Sequence, residues 1–441
     1  MYPDAEYDVI VVGGGPAGST AAALTAAGGR KVLLVDREKF PRFRVGESLM
    51  PATYWTLERL GVLEKMKCSG FPEKRSVQFF SKSGRAAAPY YFSEVDPHES
   101  SQTWQVNRLD FDHMLLKNAA DKGAEVFEEV RVHEVLFDGD RATGIRAEFK
   151  DGEKREIAAR VIVDATGQSG FIARKFKLRR TDPNLKHCAF FTRFRGAQRG
   201  EGIDEGATLI MHTETEQSWF WYIPQPDDIV SVGVVGSLDY LVKGRSNDPA
   251  VVFEEEAARC KPLLERIAGA EKEHAVAVLK DFSYASTKIA GDGWVLAGDA
   301  FGFIDPIYSS GVFLALKGGE MAADSILEAF EEDDFSSARL GRHGPELVAG
   351  IDALRKLVYA YYDPDFSIAQ FLKQYPEQQE NLVHLLIGNV YRINVDGLLR
   401  AMDEYRELEK YEPIRVEGAA EGAAEGAVEG AAEGATVLTS S

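Results

Sequence analysis

Tyr7-Asp-Val-Ile-Val-Val-Gly13-Gly14-Gly15-Pro-Ala17-Gly18-Ser-Thr-Ala-Ala-Ala-Leu, closed by Lys31-Val-Leu-Leu-Val-Asp36, is the stretch from which the fold is read. Residues 8–12 are a short, β-branched, unbroken apolar run, the pattern of a strand buried on both faces, and residues 19–27 are small and helix-compatible. Strand, turn, helix and strand in that order predict a βαβ unit. Gly13 permits the tight turn, Gly15 lets the backbone approach a pyrophosphate, and Gly18 lets helix and strand pack closely, with Ala17 in the same turn. Asp36 stands about twenty residues further on, where a carboxylate bonds an adenosine ribose. A dinucleotide site is the expectation.

The 441 residues are 45% hydrophobic, enough for a large core and two connected domains with an appendage. A net charge of −19 argues against nucleic-acid binding, because phosphates would be repelled. Cys68, Cys188 and Cys260 are scattered without metal-type spacing, as unpaired thiols in a reducing compartment would be, and no metal is expected. The chain opens on a strand without a charged-then-apolar leader, and no apolar run reaches the roughly 18 residues of a membrane span. A cytoplasmic protein without a membrane span follows as the expectation.

Further along, a basic loop carries Arg42, Arg44, Glu47 and Ser48 directly after the ribose-binding strand. Its arginines can reach cofactor phosphates and Glu47-Ser48 the ring system, or the loop is merely a solvated charged one. Residues 71–104 read as an excursion into a second sheet. A helix is expected from Gln105-Val-Asn-Arg108, strands over 126–137 and 142–149 around a turn at Asp138-Gly-Asp140, and a returning strand Val161-Ile-Val-Asp164-Ala-Thr166-Gly167. Strands near 188–195, 206–212, 219–223, 229–236 and 275–280 surround one helix near 249–268. The chain re-enters the first sheet at Trp294-Val-Leu-Ala-Gly298-Asp299, and a long helix starts near Gly311.

These elements predict an α/β fold: a Rossmann-like, three-layer cofactor domain with an inserted mixed or antiparallel β-sheet domain and a C-terminal helical cap. The expected division is 1–75, 105–170 and 286–345 for the cofactor domain, 76–104 and 171–285 for the substrate-side sheet, and 346–412 for the helices. Residues 413–441, rich in Glu-Gly-Ala repeats, are expected to be disordered, since glycine costs roughly 1 kcal/mol in a helix and large apolar groups are missing.

One glycine fingerprint, a Gly298-Asp299 strand end late in the chain and the Asp-Ala-Thr-Gly return between them argue for FAD rather than NAD, FAD being long enough to need both ends of the chain. Asp299 would bond a ribityl hydroxyl, and Arg108 and Gly311 join the cofactor-binding set. The pattern resembles the glutathione-reductase-type flavoproteins of the aromatic hydroxylase class across roughly residues 5–345.

Two motifs narrow this. Trp219-Phe-Trp221-Tyr-Ile223-Pro224 resembles the Trp-x-Trp-x-Ile-Pro signature of flavin-dependent halogenases, and Gly298 through Asp305-Pro306-Ile-Tyr308-Ser309-Ser310-Gly311 is similar to their flavin- and halide-binding loop. In that family the indoles are held to keep substrate from the flavin; the plain alternative is one face of a half-buried strand. Ser310 and Gly311 open a long helix, whose free amides suit a halide, or they make an ordinary serine cap. The resemblance implies that Lys74, in Phe71-Pro-Glu-Lys74, is the catalytic lysine receiving hypohalous acid, against the alternative of a solvated lysine beside Arg75; Ser76-Val77 replace the family's usual Gly-Ala. Tyr308 stands where tryptophan-specific members carry glutamate, so the likeness is to enzymes acting on phenols or pyrroles, free or tethered to an acyl-carrier protein. It further implies chloride or bromide as co-substrate and FADH2 from a separate flavin reductase. The rivals are a monooxygenase or a geranylgeranyl-reductase-like enzyme, which typically shows Thr-Gly-Glu-Gly where this chain has Tyr308-Ser-Ser-Gly311, and last a non-catalytic scaffold.

Overall fold

In the computed structural model, which describes residues 7–280 and 282–417, the opening strand Tyr7–Val12 lies at the centre of a parallel sheet. It pairs with Val32–Val35 on one side and with the upper half of Lys154–Asp164 on the other, and Glu125–Phe127 and Trp294–Leu296 extend the sheet in parallel. The register sets Val12 opposite both Val35 and Asp164, so three strands end level. Gly13, Asp36, Ala165 and Gly298 therefore leave the sheet along one carboxyl edge, the edge where open parallel sheets bind ligands.

The helix Pro16–Ala27 is buried nearly all round, because the long helix Ser310–Glu332 covers it. Small residues make this approach possible: a Cβ on Gly319 would lie 2.3 Å from the Ala17 carbonyl oxygen. Two segments far apart in sequence are thereby packed into one layer.

The second sheet contains Glu271–Lys272, His187–Arg195, Ile229–Ser237, Ser218–Pro224, Thr208–His212, Ser76–Phe80 and Tyr90–Tyr91 in that order, with Ala277–Lys280 also on His187–Arg195. It is antiparallel except where Thr208–His212 runs parallel to Ser76–Phe80, the mixed sheet expected. Its central strand Ser218–Pro224 corrects one reading: all seven residues are buried, so it is not half-buried. Trp219, Trp221 and Ile223 face the main core, while Phe220 and Tyr222 face a second core with Phe253 and Leu263.

Two other expectations change. Residues 249–268 form two helices, Pro249–Ala257 and Lys261–Ile267, because Pro262 lacks the amide needed to continue one helix and opens the next. Residues 126–137 are split at Glu129, which has φ +60: Glu125–Phe127 joins the parallel sheet and Arg131–Asp138 turns into a hairpin with Arg141–Glu148.

After residue 346 the described chain is helical, led by Gly344–Tyr362. Arg355 and Tyr359 on that helix bind Asp182, at 2.7 and 2.8 Å, fastening it to the body. Residues 413–417 are docked, with the Glu417 amide donating to the Thr287 carbonyl at 2.7 Å, so the expected tail does not begin at 413. Its remainder, 418–441, lies outside the described residues. Among the described residues no helix is long and apolar enough to cross a membrane.

Candidate functional site

A cavity of about 750 Å³ opens at the carboxyl edge of the parallel sheet. Gly13, Gly15, Ala17, Asp36, Arg42, Arg44, Gly46, Arg108, Asp299 and Gly311 line it, so residues from 13 to 311 meet on one cavity wall. Gly13 has φ +106, and a Cβ there would sit 2.4 Å from the Ala165 carbonyl oxygen. A Cβ on Gly15 would meet the Arg42 guanidinium at 3.5 Å, so a cation hangs over the turn where the helix amides emerge. Arg42 is held there by Asp112 at 2.7 Å. Arg44 pairs with Glu38 and is the more exposed of the two arginines.

Asp36 orders its own end of the cavity by accepting the Gly14 amide at 2.7 Å and the Glu38 amide at 2.8 Å. Arg108 is buried and spends its donors on Asp112 and on the carbonyls of Val45 and Gly46, so it shapes the loop beside the cavity. Asp299 lines the same cavity; burial pushes its carboxyl up to about 6, against the pull of Arg108 and Arg179. Asp164 acts differently, since its carboxylate accepts the Thr166 hydroxyl at 2.7 Å and the Ile172 amide at 2.8 Å, folding the turn beside the cavity. Volume, glycine cradle, overhanging cation and terminal carboxylates together fit FAD.

A smaller cavity of about 80 Å³ shares Val45, Gly46, Phe303, Gly311 and Val312 with the first. Glu47 and Ser48 line this second space, not the first. Glu47 is ion-paired with Arg193, and Ser48 shares a 2.9 Å hydrogen bond with Thr208, which accepts from Gln105 at 2.8 Å. Thr208, Gln105 and Arg193 carried no recognisable motif, and the fold alone brings them here.

The long helix begins at Ser310, as expected, but its cap is Ser309, which has φ +59 and makes no side-chain cap bond. The amides of its first turn are thus left without a capping side chain, ready for an anion. Gly311 is required, since a Cβ there would strike the Phe303 ring at 2.6 Å. Tyr308 is buried, with a hydroxyl that finds no partner among the described residues and whose pKa burial raises well above the ordinary value.

Lys74 is 5% exposed, so the solvated alternative is excluded. Its ammonium donates to the Leu49 carbonyl at 3.0 Å and lies 5.7 Å from the Phe92 ring centroid, with no carboxylate paired to it among the described residues. Burial pulls its pKa down to about 7. Lys74 is on the wall of neither cavity; Ser48 is, and the next residue, Leu49, binds the lysine.

Trp221 and Ile223 line the small cavity, and the Trp221 indole lies over Gly233, where a Cβ would be 2.2 Å from the ring. Trp219 does not line it, so the two indoles of the motif do not share this cavity. Its Nε1 donates instead to the Tyr362 hydroxyl at 3.0 Å. Pro224 closes the strand.

Residues 6–332 match the family model described as FAD binding domain. The chain is 32% identical to a 1H-pyrrole-2-carbonyl-[peptidyl-carrier protein] chlorinase of Pseudomonas fluorescens, over 92% of this chain and 93% of that one. It is also 32% identical to a 1H-pyrrole-2-carbonyl-[peptidyl-carrier protein] brominase of Pseudoalteromonas luteoviolacea, over 87% and 92%. The structure of the flavin-dependent brominase Bmp2 superimposes with a TM-score of 0.82 at 30% identity, covering 91% of this chain and 99% of that one. By these matches the chain belongs to the flavin-dependent halogenases, FAD-dependent enzymes of the oxidoreductase type.

Proposed function

We propose that this enzyme halogenates a pyrrole or phenol carried on an acyl-carrier protein, at Lys74. The observation that carries the reading is Lys74 itself: a buried cation with a carbonyl and an aromatic face as partners, one residue behind the wall of the small cavity. The names of the relatives supply the substrate class.

FAD, when bound in reduced form with oxygen and halide, supplies hypohalous acid. Gly13 to Gly18, Arg42 and Asp36 hold the ADP half, with Asp299 at the ribityl end. The amides of Ser310 and Gly311 hold the halide. Trp221 and Ile223 give the small cavity an apolar wall, so that water competes poorly there. The ammonium of Lys74 donates a hydrogen bond to the oxygen of the hypohalous acid and leaves the halogen electrophilic. The arene C–H bond becomes C–X, and the oxygen departs as water with the displaced proton. Electron-rich rings suit a site whose Tyr308 replaces a carboxylate base. Since no second nucleotide fingerprint is present in the sequence, a separate flavin reductase supplies the electrons.

The test is to combine the FAD-loaded protein with a flavin reductase, NADH, oxygen and bromide, and to offer pyrrole-2-carboxylate free and on a carrier protein, with a simple phenol beside them. Mass spectrometry should find the bromine isotope pair on the carrier-bound pyrrole. Hydroxylated product alone would make the enzyme a monooxygenase. Gly233→Ala should push the Trp221 ring into the small cavity and lower bromination roughly 10- to 100-fold, with FAD still retained.

A further inference from the structure

Trp219, set apart from the cavity, ends in a buried network. Its indole donates to the Tyr362 hydroxyl at 3.0 Å, and that hydroxyl lies 3.2 and 3.3 Å from the two oxygens of Asp305. Asp305, fully enclosed, also accepts the Ile307 amide at 3.0 Å and stands 3.1 Å from His187 Nδ1. The His187 and Tyr362 rings pack at 4.2 Å. One carboxylate thus gathers groups from the substrate-side sheet, from the C-terminal helix and from its own loop.

That loop leads into the halide helix. Ser283 binds the Ile304 carbonyl at its start, and the Ser309 amide donates to the Pro306 carbonyl at 3.0 Å near its end. Ser309 is held at φ +59, a left-handed conformation unfavourable for a residue with a Cβ, so surrounding contacts must impose it. Asp305, by accepting the Ile307 amide, fixes the loop two residues before Ser309. A bare carboxylate would also repel an anion five residues away, and three polar partners temper that charge.

We propose that Asp305, Tyr362 and Trp219 are positioning residues for the halide: they fix the loop that aims the Ser310 and Gly311 amides, which makes the C-terminal helix a part of the anion site. The inference rests on the reading of 310–311 as the halide site. It gives the signature tryptophan Trp219 a hydrogen-bonding role, distinct from walling off the flavin.

The test titrates the oxidised, FAD-loaded protein with bromide and follows the flavin absorbance, a readout that needs no turnover. Tyr362→Phe should raise the bromide Kd about tenfold, the size expected when one hydrogen bond to a charged group is removed. Trp219→Phe should raise it less, about threefold on the same scale. FAD affinity should stay within about twofold in both, and bromination lost at low bromide should return as bromide is raised. If Tyr362→Phe does not fold, His187→Gln reads the same constant. Wild-type Kd values in the variants would overturn the network while leaving the halide site intact. A wild-type flavin that ignores bromide, together with absent bromination, would overturn the halide site and the inference with it.

Discussion

Lys74→Met should abolish most halogenation and yet make the protein more stable at neutral pH. The activity loss is expected at about 100- to 1000-fold, the usual cost of removing a donor aimed at a reacting oxygen. The stability gain follows from burial. The native-state pKa falls from 10.5 to about 7 with desolvation as its cause. In the unfolded chain the amine is charged below about 10.5, whereas in the native protein charging is resisted until about 7. The penalty on the native state therefore builds as pH falls from about 10.5 to about 7, and is constant below that. Its ceiling is about 5 kcal/mol, each pH unit being worth ~1.4 kcal/mol. Methionine removes the penalty but leaves the Leu49 carbonyl without its donor, which returns about 1–3 kcal/mol. Thermal melts of both proteins at pH 6, 8 and 10 should show the advantage of Lys74→Met shrinking as pH rises. An advantage that does not change with pH would contradict the buried-amine account. The wild-type halogenation rate should likewise fall as pH rises through about 7, because the ammonium is the donor.

Gly18→Ala should cost the enzyme its cofactor. A Cβ at this position would lie 1.8 Å from the Gly13 carbonyl oxygen and 3.1 Å from Ala165 Cβ. The first obstacle is backbone, which cannot rotate aside. The helix must back away from the strand, and its amides move off the pyrophosphate position. FAD affinity is expected to drop at least about 100-fold, equivalent to ~2.7 kcal/mol. Stability should fall by on the order of 3 kcal/mol, since overpacking at a helix–strand contact strains both. Flavin absorbance retained after gel filtration reads the first effect and a melt reads the second. Retention of FAD at the wild-type level would show that the turn is looser than its geometry indicates.

Much of the site was legible because local chemistry writes it. The glycine turn needs particular residues at fixed spacing, and so does an anion-ready helix start, which is why Gly13, Gly15, Asp36, Asp299 and Gly311 meet in one cavity. Burial was harder to read. The alternation of Trp219, Trp221 and Ile223 with Phe220 and Tyr222 looks like a strand with one wet face, since aromatic residues suit either case. Helices 249–257 and 261–267 cover the other face, and nothing within the strand announces them. The helix break at Pro262 was available in the sequence, because proline forbids what the apolar pattern invites.

Read alone, the chain determines its βαβ cofactor unit, its FAD-type return through Asp299 and its halogenase motifs, because each depends on residues close in sequence or on a motif that names its own geometry. Tertiary structure alone decided what those residues touch. It turned Glu47 and Ser48 toward the second cavity and spent Arg108 on Asp112 and on the distant carbonyls of Val45 and Gly46. It also gave Trp219 to Tyr362 and Asp305 and enclosed Lys74 against Leu49. The physical reason is the same in each case: hydrogen-bond partners and desolvation come from segments tens to hundreds of residues away, and their approach is set by how the two sheets and the C-terminal helix pack.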